Sequence, residues 1–189
     1  MIVLAIDSST EYGGVALWKD GAVRERVVHS PDGYAHVVFG EVEALLAECG
    51  VALREVDAFA AASGPGSFTG VRVALAAAKG FAEAYARPVF AVSNLQAMAS
   101  LGSAALRAPV LDARRGEVYA GLYDAALRPV RGEIVTPLGA WLDALPDAVA
   151  AAVAKLAAAR FSLGERPAPA EADANYVRRS DAELNWKEA

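Results

Sequence analysis

Two stretches of this chain open in the same way, and that repetition narrows the fold more than any single motif. From residue 2 the apolar run IVLAID ends on Asp7. GVALWKDG follows the turn SSTEYG, and AVRERVVHS follows the pair Asp20-Gly21. An Asp-Gly pair between two apolar runs is a strong hairpin signal, because the tight turn wants positive φ at both positions. IVLAID is apolar on both faces, which suits a strand inside a sheet. From residue 108 the order restarts. APVLDA ends on Asp112, RRGE turns, VYAGLYD returns and RPVRGEIVT makes a third run. Two three-stranded meanders, each led by a strand ending in aspartate, predict a structural duplication with little shared sequence.

Between the meanders, helix and strand alternate. A helix is expected over 35–49, where Val38, Val42, Leu45 and Cys49 form an apolar stripe that Phe39 and Leu46 widen, and where Gly50 ends it. A strand of small apolar residues runs from Val56 to Ala62. Ser67 then stands where it can cap a second helix, 68–86. Its inward stripe is read as Val71, Leu75, Ala78, Ala82 and Tyr85, with Arg72, Ala76, Lys79 and Glu83 on another face. PVFAVS gives a strand, and NLQAMASLG a helix capped by Asn94. This order predicts an α/β fold of mixed sheets with helices on their faces, in two lobes over 1–95 and 96–189. The second lobe is the smaller. It holds an Ala-rich helix over 147–160 and, from about residue 164, a surface tail anchored by Tyr176, Val177 and Trp186.

Charge narrows the function. The chain has 189 residues, a formal net charge of −5 and no basic tract. A protein that grips nucleic acid alone normally carries a Lys/Arg patch, so RNA or DNA contact is expected only through a partner. Cys49 is the only cysteine, which excludes an internal disulfide, and it reads as a small buried hydrophobe. The short apolar start lacks the basic lead of a signal peptide, and no apolar run approaches the roughly 20 residues that span a bilayer. A cytoplasmic protein away from membranes is the expectation.

Three stretches, AIDSSTEYGGVALWKDG, SGPGSFTGVRVALAAAKGFA and VLDARRGEVYAGLYD, resemble the TsaB (YeaZ) family, and the tail NYVRRSDAEL does so more loosely. The resemblance implies an actin/Hsp70/sugar-kinase-like (ASKHA) fold of two RNase-H-like lobes. It implies a partner or scaffold subunit that dimerises with and activates a larger paralogue, TsaD. That enzyme places a threonylcarbamoyl group on N6 of the adenosine beside the anticodon of tRNA, with a further ATPase, TsaE, in the complex. The family's older glycoprotease-like (M22) naming is read as inherited. In the family the first two helices pack against the same helices of a partner. Carried onto this chain, that contact involves Val38, Val42, Leu45, Ser67, Thr69, Arg72, Ala76 and Lys79. Both helices carry more apolar surface than one sheet face consumes, which predicts a homodimer when the chain is alone. The chain departs from the family pattern around 140–165, where the Ala-rich helix replaces a Gly-rich segment.

Two other chemistries stand beside this one. Kinases of the implied fold place an aspartate after the first strand against metal and phosphate, and Asp7, Ser8, Ser9 and Thr10 have that look. The alternative is that Asp7 accepts N–H groups of its own turn. GPGSFTGVR lacks the Lys-Ser/Thr of a P-loop, and Pro65 removes a backbone donor. Its glycines are read as turning a strand into a helix and aiming that helix. No cofactor is implied beyond weak nucleotide occupancy, and a small-molecule kinase or ATPase is the alternative function. His29 and His36, the only histidines, are not spaced as two ligands on one helical face, so neither a metal site nor catalytic residues are assigned and a metallopeptidase is disfavoured. Asp112 is expected to pair with Arg114 or Arg115.

Overall fold

In the computed structural model, residues 1–145, 158 and 162–165 are described. Residues 1–144 form one compact unit and 145–189 another. Apart from those few positions, the Ala-rich segment, the tail and its anchors lie outside the described residues.

The first sheet follows from the meander. Strands β1 (Ile2–Asp7), β2 (Tyr12–Lys19) and β3 (Ala22–His29) pair antiparallel, with Ile2 opposite Lys19 and Lys19 opposite Ala22. β4 (Ala58–Ala62) lies parallel to β1 on its other side, and β5 (Val89–Val92) lies parallel to β4. The resulting order, β3-β2-β1-β4-β5, is RNase-H-like and puts β1 at the centre, as its two apolar faces require.

Helices α1 (Val38–Glu48) and α2 (Phe68–Tyr85) cover one face of this sheet. The core pairs Leu4, Ile6, Val15, Leu17 and Phe59 from the strands with Val38, Val42, Leu45, Ala74 and Ala78 from the helices. Alternate strand residues and a 3.6-residue helical stripe meet there. The inner face of α2 is Gly70, Ala74, Ala77, Ala78 and Ala82, so this helix packs on small residues. Of the stripe expected inside, Tyr85 is 38% exposed and Val71 and Leu75 are only partly buried, because the buried face runs through Gly70, Ala74 and Ala77 instead.

Two helix starts differ from expectation. α1 begins at Val38 and not at 35, because the Tyr34 carbonyl accepts from the N–H groups of Val37 and Val38, both at 3.0 Å, in a separate turn. In α3 (Asn94–Ser100) the cap is Ser93, whose Oγ accepts from Leu95 N at 3.1 Å and Gln96 N at 3.3 Å. The Asn94 side chain bonds elsewhere, as shown below.

The second sheet is built from β6 (Leu106–Arg107), β7 (Val110–Arg114), β8 (Glu117–Asp124) and β9 (Pro129–Pro137), followed by α4 (Leu138–Asp143). β8 is central, with β7 and β6 paired to it and β9 on it as well, all antiparallel. The meander therefore recurs. Asp112 Oδ1 accepts from Arg114 N at 2.8 Å, and Arg114 Nη1 lies 3.4 Å from Asp112 Oδ2, so the aspartate serves its own turn. α3 packs Leu95 and Ala99 against Tyr123 of β8.

Candidate functional site

Two features follow from this frame: a cleft beside the first turn, and the outer face of α1 and α2. The cleft has a volume of about 680 Å³ and lies between Ser9–Tyr12, Gly33–Ala35 and the start of α2 on one side, and Leu111–Arg114 with Tyr119 on the other. Ser8, Ser9 and Thr10 line it, next to Asp7 in the chain, and their side chains make bonds within the protein. Asp7 Oδ1 accepts from Ser9 N at 2.9 Å. The Ser8 hydroxyl donates to the Gly70 carbonyl at 2.8 Å. The Thr10 hydroxyl donates to Tyr12 O at 2.5 Å. Ser9 Oγ accepts from Asn94 Nδ2 at 2.6 Å. Ser8 and Ser9 are buried. A phosphate cradle needs donors aimed at open space, and here the hydroxyls and the carboxylate hold the turn itself.

The glycines of SGPGSFTG explain why that turn can sit where it does. Gly64 has φ +93°, in the left-handed region, and its carbonyl accepts from Asn94 N at 2.8 Å. Gly66 and Gly70 serve close approach. A Cβ on residue 66 would stand 2.7 Å from the Ser9 carbonyl oxygen, and one on residue 70 would meet the Ser8 carbonyl oxygen still closer. Ser67 N donates to Ser9 O at 2.7 Å, and Ser67 Oγ accepts from Gly70 N at 3.3 Å as the cap of α2. The motif thus seats the first helical turn of α2 on the backbone of residues 8 and 9.

The outer face carries a different chemistry. Phe39 is 58% exposed and meets Phe81 edge to face, with ring centroids 5.7 Å apart. Phe81 in turn stacks on buried Phe59 at 5.6 Å. Between the helices, Ala35, Phe39, Ala76, Gly80 and Phe81 line an open apolar groove of about 470 Å³. Small residues at 76 and 80 leave the α2 backbone approachable. Phe68 is 69% exposed, and the Arg72 guanidinium lies over its ring at 3.5 Å from the centroid. That contact holds the cation on the same surface.

The expected contact residues divide. Ser67, Thr69, Arg72, Ala76 and Lys79 are all exposed on or beside α2. Val38, Val42 and Leu45 are 1–3% exposed and belong to the core, a correction to their place on the outer surface. They form the inner stripe of α1, buried against the strands and α2, with Val38 also lining the groove. Phe39 is the apolar residue left over.

By sequence Tyr34 has no role and Asn94 only that of a helix cap, yet both make long-range bonds. Tyr34 OH accepts from Gly13 N and donates to the carbonyl of Val28 or of Glu11, the latter at 2.9 Å, closing the open end of the β2–β3 hairpin. Burial pushes this phenol's pKa up. Neither residue has a local pattern that announces such long-range bonds. His36 is exposed, and His29 stacks on Tyr12 at 4.4 Å with Glu11 3.7 Å from Nε2. Among the described residues no group of three or more His, Cys, Asp or Glu could hold a metal ion. Among them too, no helix is long and apolar enough to cross a membrane.

Comparison with known proteins places these features in a family. Residues 33–185 match the family model described as TsaD, tRNA N6-adenosine threonylcarbamoyltransferase. The chain is 35% identical over 153 residues to the tRNA threonylcarbamoyladenosine biosynthesis protein TsaB of Bacillus subtilis, covering 78% of this chain and 67% of that one. It is 38% identical over 123 residues to the Escherichia coli protein of the same name, covering 63% of this chain and 53% of that one. The chain thus spans about two thirds of one relative and about half of the other. Among solved structures, YeaZ from Pseudomonas aeruginosa superposes with a TM-score of 0.64 at 40% identity, over 72% of this chain and 66% of that one.

Proposed function

The chain belongs to the TsaB (YeaZ) family, and from that premise we propose that it is the non-catalytic partner subunit that pairs with TsaD and activates it. The reaction so supported is threonylcarbamoylation of N6 of the adenosine beside the anticodon in tRNA. The observation that carries the reading is the outer face of α1 and α2, where Phe39, Ala76, Gly80 and Phe81 make an apolar groove. An exposed apolar surface of this kind is a liability until another helix pair covers it. Small residues let that pair approach closely, and Arg72 and Lys79 give the rim polar partners.

On this reading catalysis rests in TsaD, TsaE completes the assembly, and tRNA is reached only through the complex, in keeping with a net charge of −5. The chain alone forms a homodimer through the same face, so the two pairings compete. We read the two sheets, both within the compact unit 1–144, as the cores of the lobes expected over 1–95 and 96–189, and the setting as the cytoplasm. The Ser8 and Thr10 hydroxyls donate to internal carbonyls, which weighs against the kinase alternative.

Reconstitution tests the proposal. TsaD and TsaE supplied with ATP, an activated threonylcarbamoyl donor and this chain should modify tRNA, and the variants Arg72→Glu and Ala76→Glu should fail to support it while keeping native circular dichroism. Full stimulation by both variants would remove the face from the account.

A further inference from the structure

We propose that the Ser93-Asn94 pair is a positioning junction that couples the second sheet to the turn from which α2 starts. The inference rests on the reading of α2 as the docking helix only for its functional consequence.

Asn94 ties together two separate turns, the backbone at Gly64–Pro65 and the side chain of Ser9. Its N–H donates to Gly64 O at 2.8 Å, and its Oδ1 accepts from Gly64 N at 3.3 Å. Its Nδ2 donates to Ser9 Oγ at 2.6 Å and to Pro65 O at 3.1 Å. Only a side-chain amide supplies two donors and an acceptor on one short stem. An aspartate would put a second acceptor against the Pro65 carbonyl. From Ser9 the connection continues to α2, because Ser67 N donates to Ser9 O at 2.7 Å and Val71 N to Ser67 O at 2.9 Å.

Ser93 faces the other way. While its Oγ caps α3, its hydroxyl donates to Glu133 Oε1 on β9. The Tyr123 hydroxyl of β8 donates to the same oxygen at 2.5 Å. Two hydroxyls on one carboxylate oxygen are charge-assisted bonds, stronger than neutral ones. A displacement of the β8–β9 pair therefore pulls on Ser93, and through Asn94 on the turns at 9 and 64–65 that set the direction of α2.

The test is hydrogen exchange at the Ser67 and Val71 amides of the isolated chain, read beside its affinity for TsaD. Glu133→Ala should speed exchange at both amides by roughly threefold or more, the scale of coupling within one hydrogen-bonded network. In an Asn94→Ala background, where exchange is already fast, the same substitution should add nothing. Tyr123→Phe, which keeps the packed ring and removes one donor, should give a smaller change in the same direction and serves if Glu133→Ala does not fold. Unchanged exchange in Glu133→Ala and Tyr123→Phe overturns the junction, as does an undiminished effect without Asn94. If exchange responds as expected but TsaD affinity does not, the junction stands and the docking assignment of α2 falls.

Discussion

Ser8 and Gly70 hold each other across 62 residues: the Ser8 hydroxyl donates to the Gly70 carbonyl at 2.8 Å, and the Ser8 carbonyl oxygen stands where a Cβ on residue 70 would go. Gly70→Ala should therefore destabilise the fold by about 2–3 kcal/mol, since the opposing atom is backbone that cannot swing aside. Ser8→Ala removes one hydrogen bond to a carbonyl and should cost about 1 kcal/mol. Urea unfolding of the two variants checks the order, and a neutral Gly70→Ala would show that the turn does not rest on α2.

The Tyr34 hydroxyl is the partner of Gly13 N at the end of the β2–β3 hairpin. Tyr34→Phe keeps the ring and leaves that buried N–H without an acceptor, which should cost about 1–3 kcal/mol. The thermal midpoint should fall, and exchange of the Gly13 amide should rise above that of the neighbouring strand.

Tyr123 gives an alkaline signature. Burial first, and its bond to Glu133 second, push its phenol from an ordinary value of 10.0 up to about 12. Between those values the native state holds a proton that the unfolded state has released. Stability should be fully present below pH 10 and fall as pH rises toward 12. Tyr123→Phe should flatten that part of the stability–pH curve, and an unchanged slope would assign the loss to other groups.

Arg26 ties β3 to α1 through Glu41, Nε to Oε2 at 2.7 Å, and through Glu48. The pairs are partly open to solvent, so Arg26→Met should lower the thermal midpoint in dilute buffer. Much of the difference should vanish at about 1 M salt, where screening acts within roughly 3 Å.

Much of the first sheet is legible in the residues. Asp20-Gly21 marks the hairpin, the double apolar face of IVLAID marks the central strand, and the stripe of α1 marks its packing, whereas of the stripe expected on α2 only Ala78 and Ala82 are buried. What the sequence conceals is how surface is divided. Val38, Val42 and Leu45 look surplus in a helical projection, yet the core takes all three, and the exposed apolar residue is Phe39. Those three pack in one core cluster with strand residues and with Ala74, Ala77 and Ala78 of α2. Likewise DSST looks like a phosphate turn, because residue type does not reveal whether a hydroxyl faces solvent or a carbonyl 62 residues away. Asn94 fits the usual preference for a cap, but Ser93 fills that role and frees the amide for Ser9 and Pro65.

The measurement closest to the central claim is sedimentation of the purified chain alone, with TsaD, and as Ala76→Glu. The account predicts self-association of the native chain, its replacement by a mixed pair when TsaD is added, and loss of both pairings in the variant. A native chain that stays monomeric and ignores TsaD, or a variant that pairs as well as the parent, would contradict it.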